Sequence, residues 1–143
     1  MQNYMKLELA ALSENEGFAR SAVAAFSLPL SPSFADLSDI KTAVSEAVTN
    51  CIVHAYKGCG GKIEIECRIE KALRGGILHI EVVDYGCGIE DVEAAVEPFF
   101  TTLENDERSG MGFTVMQTFS TFFKVDSEPG RGTRVYMQKA VGM

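Results

Sequence analysis

DYGCGIEDVEAAVEPFFTTLENDERSGMGF, residues 84–113, is the stretch on which the reading of this chain turns. It places two glycine clusters, DYGCG and SGMGF, on either side of a polar segment, directly after an alternating run that ends in Asp84. A carboxylate at a strand end can accept a hydrogen bond from an exocyclic amine, and Gly86 and Gly88 let backbone approach a flat ring closely. The same residues also suit a plain tight turn with an Asp cap. SGMGF opens a helix, where glycines leave N–H groups available to phosphate oxygens. It is not a Walker loop, since no GK[ST] follows, and a hinge is its plainer reading.

The other half of the candidate site lies upstream, in SEAVTNCIVHAY (45–56). Glu46 and Asn50 fall one helical turn apart on one face, with Thr42 and His54 continuing the row. An amide oxygen, together with phosphate oxygens and waters, is an adequate Mg²⁺ ligand set, because Mg²⁺ keeps much of its hydration. A carboxylate one turn away can orient or deprotonate an attacking hydroxyl. The plainer alternative is a solvated helix face; against it stands the mild cost of an Asn in mid-helix. The two halves read together as a nucleotide pocket with a lid.

The remainder reads as scaffold. Residues 4–10 alternate, with Met5, Leu7 and Leu9 on one side and Tyr4, Lys6 and Glu8 on the other, which predicts a half-buried strand. Ser13 and Glu16 have capping-box spacing, so a helix is expected from about 14, with Phe18, Ala22, Ala25 and Phe26 as its apolar face and Pro29 and Pro32 beyond its end. Residues 26–35 carry no charge, a surface suited either to another chain or to packing within the monomer. A long helix is expected over about 36–56, its buried stripe formed by Leu37, Ile40, Val44, Ala47, Val48, Cys51 and Ala55. Strands follow at about 62–70 and 77–83, joined at Gly75 and Gly76. Short helices over 90–96 and about 110–120 precede two last strands at 122–127 and 133–139, joined by EPGRG. With no repeat and no linker, 1–143 reads as a single domain. Its class is α+β, a two-layer sandwich with a largely antiparallel mixed sheet and helices on one face.

Composition narrows the classes. The chain has 143 residues, 46% hydrophobic and 23% charged, ordinary for a folded protein. A net charge of -7 speaks against a general nucleic-acid surface, which needs clustered Lys and Arg. Cys51, Cys59, Cys67 and Cys87 form no CxxC pair, and His54 and His79 complete no zinc pattern, so reduced thiols in a cytosol are expected. No signal peptide or spanning segment is visible in the chain, which leads us to expect a soluble, cytoplasmic protein.

The order of Glu46 and Asn50, then DxGxG, then a lid, then GxG resembles the GHKL ATPase and kinase superfamily, which includes sensor histidine kinases and type II topoisomerases, over nearly the whole chain. Within it, SEAVTNCIVHAY, KLELAALSENEGFAR, IKTAVSEAVTN and ERSGMGF are similar to the anti-sigma-factor serine kinases, in particular the sporulation anti-sigma factors of the sigma-F type. The resemblance implies the histidine-kinase-like (Bergerat) ATP-binding fold. It implies that Asn50 holds Mg²⁺ against the phosphates of ATP and that Glu46 is the general base for a serine hydroxyl. It assigns Asp84 to the adenine amine, with Gly86 and Gly88 as the adenine floor and Thr133, in RGTR, supporting that side. Ser109, Gly110, Met111 and Gly112 belong to the phosphate-binding end, and Thr101 and Thr102 to a lid closing over the triphosphate. Many relatives carry a lysine after the two threonines; this chain has Leu103, which leaves Arg108 or Lys57 as substitutes for its phosphate contact. Arg20 is expected to be exposed opposite the Phe18 face, either as a solubilising charge or, as the resemblance implies, near a partner-binding surface.

The implied function is an ATP-dependent anti-sigma factor, a homodimer, that holds a sigma factor of the sigma-F type inactive and phosphorylates a serine on its anti-anti-sigma antagonist. It implies ATP/ADP and Mg²⁺ as cofactors and neither nucleic-acid nor membrane binding. Alternatives are a nucleotide-gated sigma-binding module without kinase activity and a general stress-response anti-sigma serine kinase. The ATP-binding half of a histidine kinase ranks below these, because only 35 residues precede the long helix and neither histidine lies in a suitable phosphoacceptor segment.

Overall fold

The computed structural model describes residues 1–95 and 112–143. Five strands, β1 (Tyr4–Ala10), β2 (Lys62–Lys71), β3 (Gly76–Asp84), β4 (Phe122–Glu128) and β5 (Gly132–Val141), form one sheet in the order β1-β2-β3-β5-β4. Each of its pairings is antiparallel, so among the described residues the expected mixed sheet has no parallel pair. The alternation read from the sequence fixes the faces. Ile65, Val82 and Val135 stand in register across β2, β3 and β5, as do Cys67, Ile80 and Met137, and all six are buried. Their odd-numbered and even-numbered neighbours, such as Glu64 and Glu66, turn to the opposite, polar face. Each large apolar side chain so buried contributes about 1.5–3 kcal/mol.

Helices cover the apolar face. The principal pair is α1 (Glu16–Phe26), after a short 3₁₀ turn at Ser13–Asn15, and α2 (Phe34–Asn50). α2 buries Ile40, Ala43, Val44, Ala47 and Val48, and Cys51 follows them into the core; of the expected stripe Leu37 and Ala55 are only half-buried, and Ala43 is added. Two short helices follow, α3 (Val92–Ala95) and α4 (Gly112–Thr118); α4 buries Met116 and packs on α2. No described helix is long and apolar enough to cross a membrane.

Three local expectations are corrected. The capping box does not form at Ser13 and Glu16; instead Asn15 donates to the carbonyl of Ala10 at 2.9 Å, and Glu16 accepts from Ser45 Oγ and pairs with Arg20. The box forms at the next helix, where Ser33 Oγ accepts from Asp36 N at 3.0 Å and Asp36 Oδ2 accepts from Ser33 N at 3.1 Å. The start of α2 is tied further to the chain's end by Gly142 N on Asp36 and Lys139 on Asp39, both at 2.9 Å.

The buried face of α1 is also not the one expected. Ala19, Val23 and Ala24 are buried, whereas Phe18 is 56% exposed and Ala25 is exposed too. The helix is thus turned by about one residue, roughly 100°, from the expected face. Small side chains face α2, which lets the two axes approach closely, and Phe18 is left outside. Arg20 is exposed as expected, but it flanks the buried face instead of lying opposite it, and its guanidinium pairs with Glu16 at 3.1 Å. The uncharged 26–35 stretch divides, with Ser27 and Leu30 buried and Leu28 and Phe34 exposed.

The third correction bears on the site. The long helix does not run to 56 as an α-helix: directly after Asn50 it widens into a π-helical turn, Cys51–Ala55, with Tyr56 N bonded to Cys51 O at 3.0 Å. Lys57 (φ 51°) and Gly58 (φ 77°) then take left-handed conformations and close it, Gly58 N reaching Ile52 O at 3.0 Å.

Candidate functional site

The inward alternation of β3 runs Leu78, Ile80, Val82, Asp84, so the acid ending the strand lies on the core side, 6% exposed. Across the ladder its register partner is Thr133 of β5, 8% exposed. Gly86 N donates to Asp84 Oδ1 at 3.0 Å. Burial pushes the Asp84 carboxyl above its ordinary range, and the Gly86 N–H, with the Cys51 side chain and the Thr133 backbone nearby, pulls against it without cancelling it. Thr133 Oγ1 shares a 2.8 Å hydrogen bond with Ser127 Oγ, which also accepts from Ile89 N at 2.8 Å.

The loop after Asp84 is clamped from two sides. On the helix side Cys87 N donates to Ala55 O at 3.0 Å and Tyr85 N to Tyr56 Oη at 2.8 Å. On the sheet side Gly130 N of the β4–β5 turn donates to Cys87 O at 2.7 Å. The two glycines are required by this clamp. A Cβ on Gly86 would stand 2.4 Å from the carbonyl oxygen of Ala55. Gly88 has φ +74°, and its Cβ would stand 2.2 Å from the carbonyl oxygen of Glu128.

The second half of the site lies where α2 meets α4. Glu46 and Asn50, both half-buried, project from α2 toward the first residue of α4. A Cβ on Gly112 would lie 3.0 Å from Asn50 Oδ1, 3.1 Å from Asn50 Nδ2 and 3.4 Å from Glu46 Oε2. The GxG glycine therefore sits on the amide and the carboxylate that the sequence put 62 and 66 residues away. Two residues on, Thr114 Oγ1 is buried without a hydrogen-bond partner among the described residues.

Of the expected site residues, Glu46, Asn50 and Gly112 are brought together, as are Asp84, Gly86, Gly88 and Thr133. The π turn joins the two groups, since Asn50 precedes it and Ala55, its last residue, accepts from Cys87 N in the loop after Asp84. Arg20 stands on α1 and belongs to neither group. Thr101, Thr102, Leu103, Arg108, Ser109, Gly110 and Met111 lie outside the described residues. Reading the sequence missed Cys51, Tyr56 and Ser127 as parts of the site. Cys51 had one signal, its place on the buried stripe next to Asn50; Tyr56 and Ser127 act through contacts that no spacing reveals.

The donor set fits a nucleotide with a hydrated divalent ion better than a protein-built metal cage. Among the described residues no three His, Cys, Asp or Glu side chains converge on one point. A single amide beside a glycine that leaves room at a helix start can share an ion with phosphate oxygens, whereas it could not hold one alone.

Comparison with known proteins agrees with this geometry. The model of the histidine kinase-like ATPase domain matches residues 8–139. The chain is 52% identical over 140 residues to the anti-sigma F factor of Thermoanaerobacter sp. (strain X514), covering 98% of this chain and 95% of that protein. It is 53% identical over 140 residues to the anti-sigma F factor of Caldanaerobacter subterraneus subsp. tengcongensis, with the same coverage of both. Among solved structures, the RsbU and RsbW domains of Rv1364c from Mycobacterium tuberculosis superpose with a TM-score of 0.66 at 18% identity, over 97% of this chain and 32% of that one, which establishes the likeness of fold. The chain is therefore a member of the histidine kinase-like ATPase domain family and, within it, of the family of proteins named anti-sigma F factor.

Proposed function

We propose that this protein is an ATP-dependent anti-sigma factor that also acts as a protein serine kinase on its own antagonist. The observation that carries the reading is the meeting of Glu46, Asn50 and Gly112 on one side of the π turn and of Asp84 and Thr133 on the other. Adenine would be read by Asp84, whose carboxylate accepts from the exocyclic amine while Thr133 supports the same edge. Gly86 and Gly88 would form the floor beneath the ring, held in place by their close packing on the carbonyls of Ala55 and Glu128. Gly110, Met111 and Gly112 would offer N–H groups to phosphate oxygens, with Ser109, Arg108, Thr101 and Thr102 completing that end.

Asn50 would hold Mg²⁺, which supplies charge neutralisation to the phosphates. Glu46, one turn away, is then placed to accept the proton of an incoming serine hydroxyl as its oxygen attacks the γ-phosphorus and ADP leaves. The ~50% identical relatives named anti-sigma F factor support a sigma factor as the protein held inactive; the phosphorylated substrate in this reading is that sigma factor's anti-anti-sigma antagonist. A homodimer in the cytoplasm, with Arg20 near the partner surface, completes the proposal.

The test is transfer of label from γ-labelled ATP, with Mg²⁺, to a candidate antagonist, followed by phosphoamino-acid analysis. Phosphoserine that disappears in Glu46→Gln is the expected result; transfer that survives that substitution would refute the assigned base. A second reading, a nucleotide-gated sigma-binding module, is favoured by Leu103 standing where many relatives have lysine. Tight ATP binding and sigma retention with no label on the antagonist would select it, and label on histidine would select neither.

A further inference from the structure

The loop that follows Asp84 hangs from a side chain to which the nucleotide reading gives no role. Tyr56 stands one residue beyond the π turn, half-buried, with its ring packed against the core. Its hydroxyl donates to the carbonyl of Lys62 at 2.5 Å and accepts from the N–H of Tyr85 at 2.8 Å. One oxygen thus ties together the helix end, the first residue of β2 and the peptide directly after Asp84. The ring has a seat made for it: a Cβ on Gly61 would stand 2.3 Å from a ring carbon of Tyr56, so only bare backbone admits the phenol there. From the β5 side the same peptide lies against Gly132, where a Cβ would stand 2.1 Å from Asp84 O and 2.8 Å from Tyr85 Cα.

We propose that Tyr56 is a positioning residue for the base end of the pocket: its hydroxyl fixes the peptide after Asp84, and with it the place where Asp84 and the glycine loop meet the ring of a nucleotide. A hydroxyl suits this post because it donates and accepts at once. Tyr85 lies just past the end of β3, so its N–H falls beyond the ladder and goes to Tyr56 instead. The side chain of Tyr85 is anchored separately at the surface, its hydroxyl donating to Glu64 at 2.6 Å with Lys62 Nζ 5.0 Å from the ring centroid. Charged contacts that exposed hold little, so the inner tie carries the placement. The next tie along the loop, Cys87 N on Ala55 O, is backbone and survives any side-chain substitution. Phenylalanine at 56 would keep the ring in its seat and remove only the oxygen that grips the Tyr85 N–H.

The inference rests on the nucleotide-binding reading, and the experiment separates the two. Dissociation constants for ATP and for inorganic tripolyphosphate, which carries the phosphates without a base, are measured with Mg²⁺ on the full chain and on Tyr56→Phe. ATP affinity should fall about fivefold in Tyr56→Phe, the size of one hydrogen bond between uncharged groups, while tripolyphosphate affinity stays at the wild-type value. In the label-transfer assay the KM for ATP should rise by the same factor with kcat unchanged, a split that general loosening of the fold would not give. Gly61→Ala, which pushes the ring from its seat but leaves the hydroxyl on the chain, should reproduce the loss. ATP affinity unchanged in Tyr56→Phe, or an equal fall for tripolyphosphate, would overturn the role of Tyr56 alone. A wild-type chain that binds no ATP would overturn the nucleotide reading itself.

Discussion

The two sides of the candidate site are built from different materials. Around Asp84 the walls are backbone: Gly86 lies under the carbonyl of Ala55, Gly88 under that of Glu128, and the loop between them is hydrogen-bonded to the helix end and to the β4–β5 turn. Around Gly112 the walls are side chains, the amide of Asn50 and the carboxylate of Glu46, both half-buried on α2. Backbone walls fix a shape and tolerate little; side-chain walls can shift by a few tenths of an ångström and carry the chemistry. A rigid pocket on one side and an adjustable reactive cluster on the other suit a ligand with an invariant flat ring and a group that changes during reaction.

That contrast can be broken at either end. The largest effect expected is on chemistry alone: Glu46→Gln should reduce phosphoryl transfer by about 10³-fold, the scale of a lost general base, while ATP affinity and the thermal midpoint stay near wild type. A matching loss of stability would show that the carboxylate is part of the scaffold. Next comes a change in a backbone wall. Gly88→Ala combines a left-handed backbone with a carbonyl collision, and should cost about 3 kcal/mol, a fall of roughly 10 °C in thermal midpoint. Retained stability in that variant would mean that the clamp yields more readily than its contacts imply.

Gly112→Ala sharpens the comparison, because its methyl meets side-chain atoms at 3.0–3.4 Å rather than backbone. Titration should show ATP affinity weakened about tenfold with little change in midpoint, as Asn50 gives way. The smallest effect is that of pH on the rigid side. The Asp84 carboxyl is raised from 3.8 by burial, and it accepts from the adenine amine only when ionised, so ATP affinity should fall as pH falls, beginning above pH 3.8. Inosine triphosphate, measured in parallel, should lose less over the same range; equal losses would place the titrating group elsewhere.

Much of the architecture was legible before the coordinates. Strand periodicity is a local property, and Ile63, Ile65, Cys67 and Ile69 name their own face whatever packs on them. Helix faces proved less legible where two were plausible. In α1 the bulkier Phe18, Ala22, Ala25 and Phe26 set looked like the core, but close approach to α2 favoured Ala19, Val23 and Ala24. Capping followed the same rule: Ser13 and Ser33 each precede an acid at the right spacing, and competition from Ser45 and Arg20 for Glu16 removed the first box.

By itself, the sequence determined the five alternating strands, the buried stripe of α2, and the spacing that keeps Glu46 and Asn50 on one helical face. These depend only on backbone periods of about two and 3.6 residues. Only the tertiary structure decided that Gly112 rests on those two side chains, that α2 widens into a π turn after Asn50, and that Thr133 stands opposite Asp84. Those pairings cross tens of residues and are set by how layers pack and which buried polar groups find donors, a balance struck only once the whole chain has closed around them.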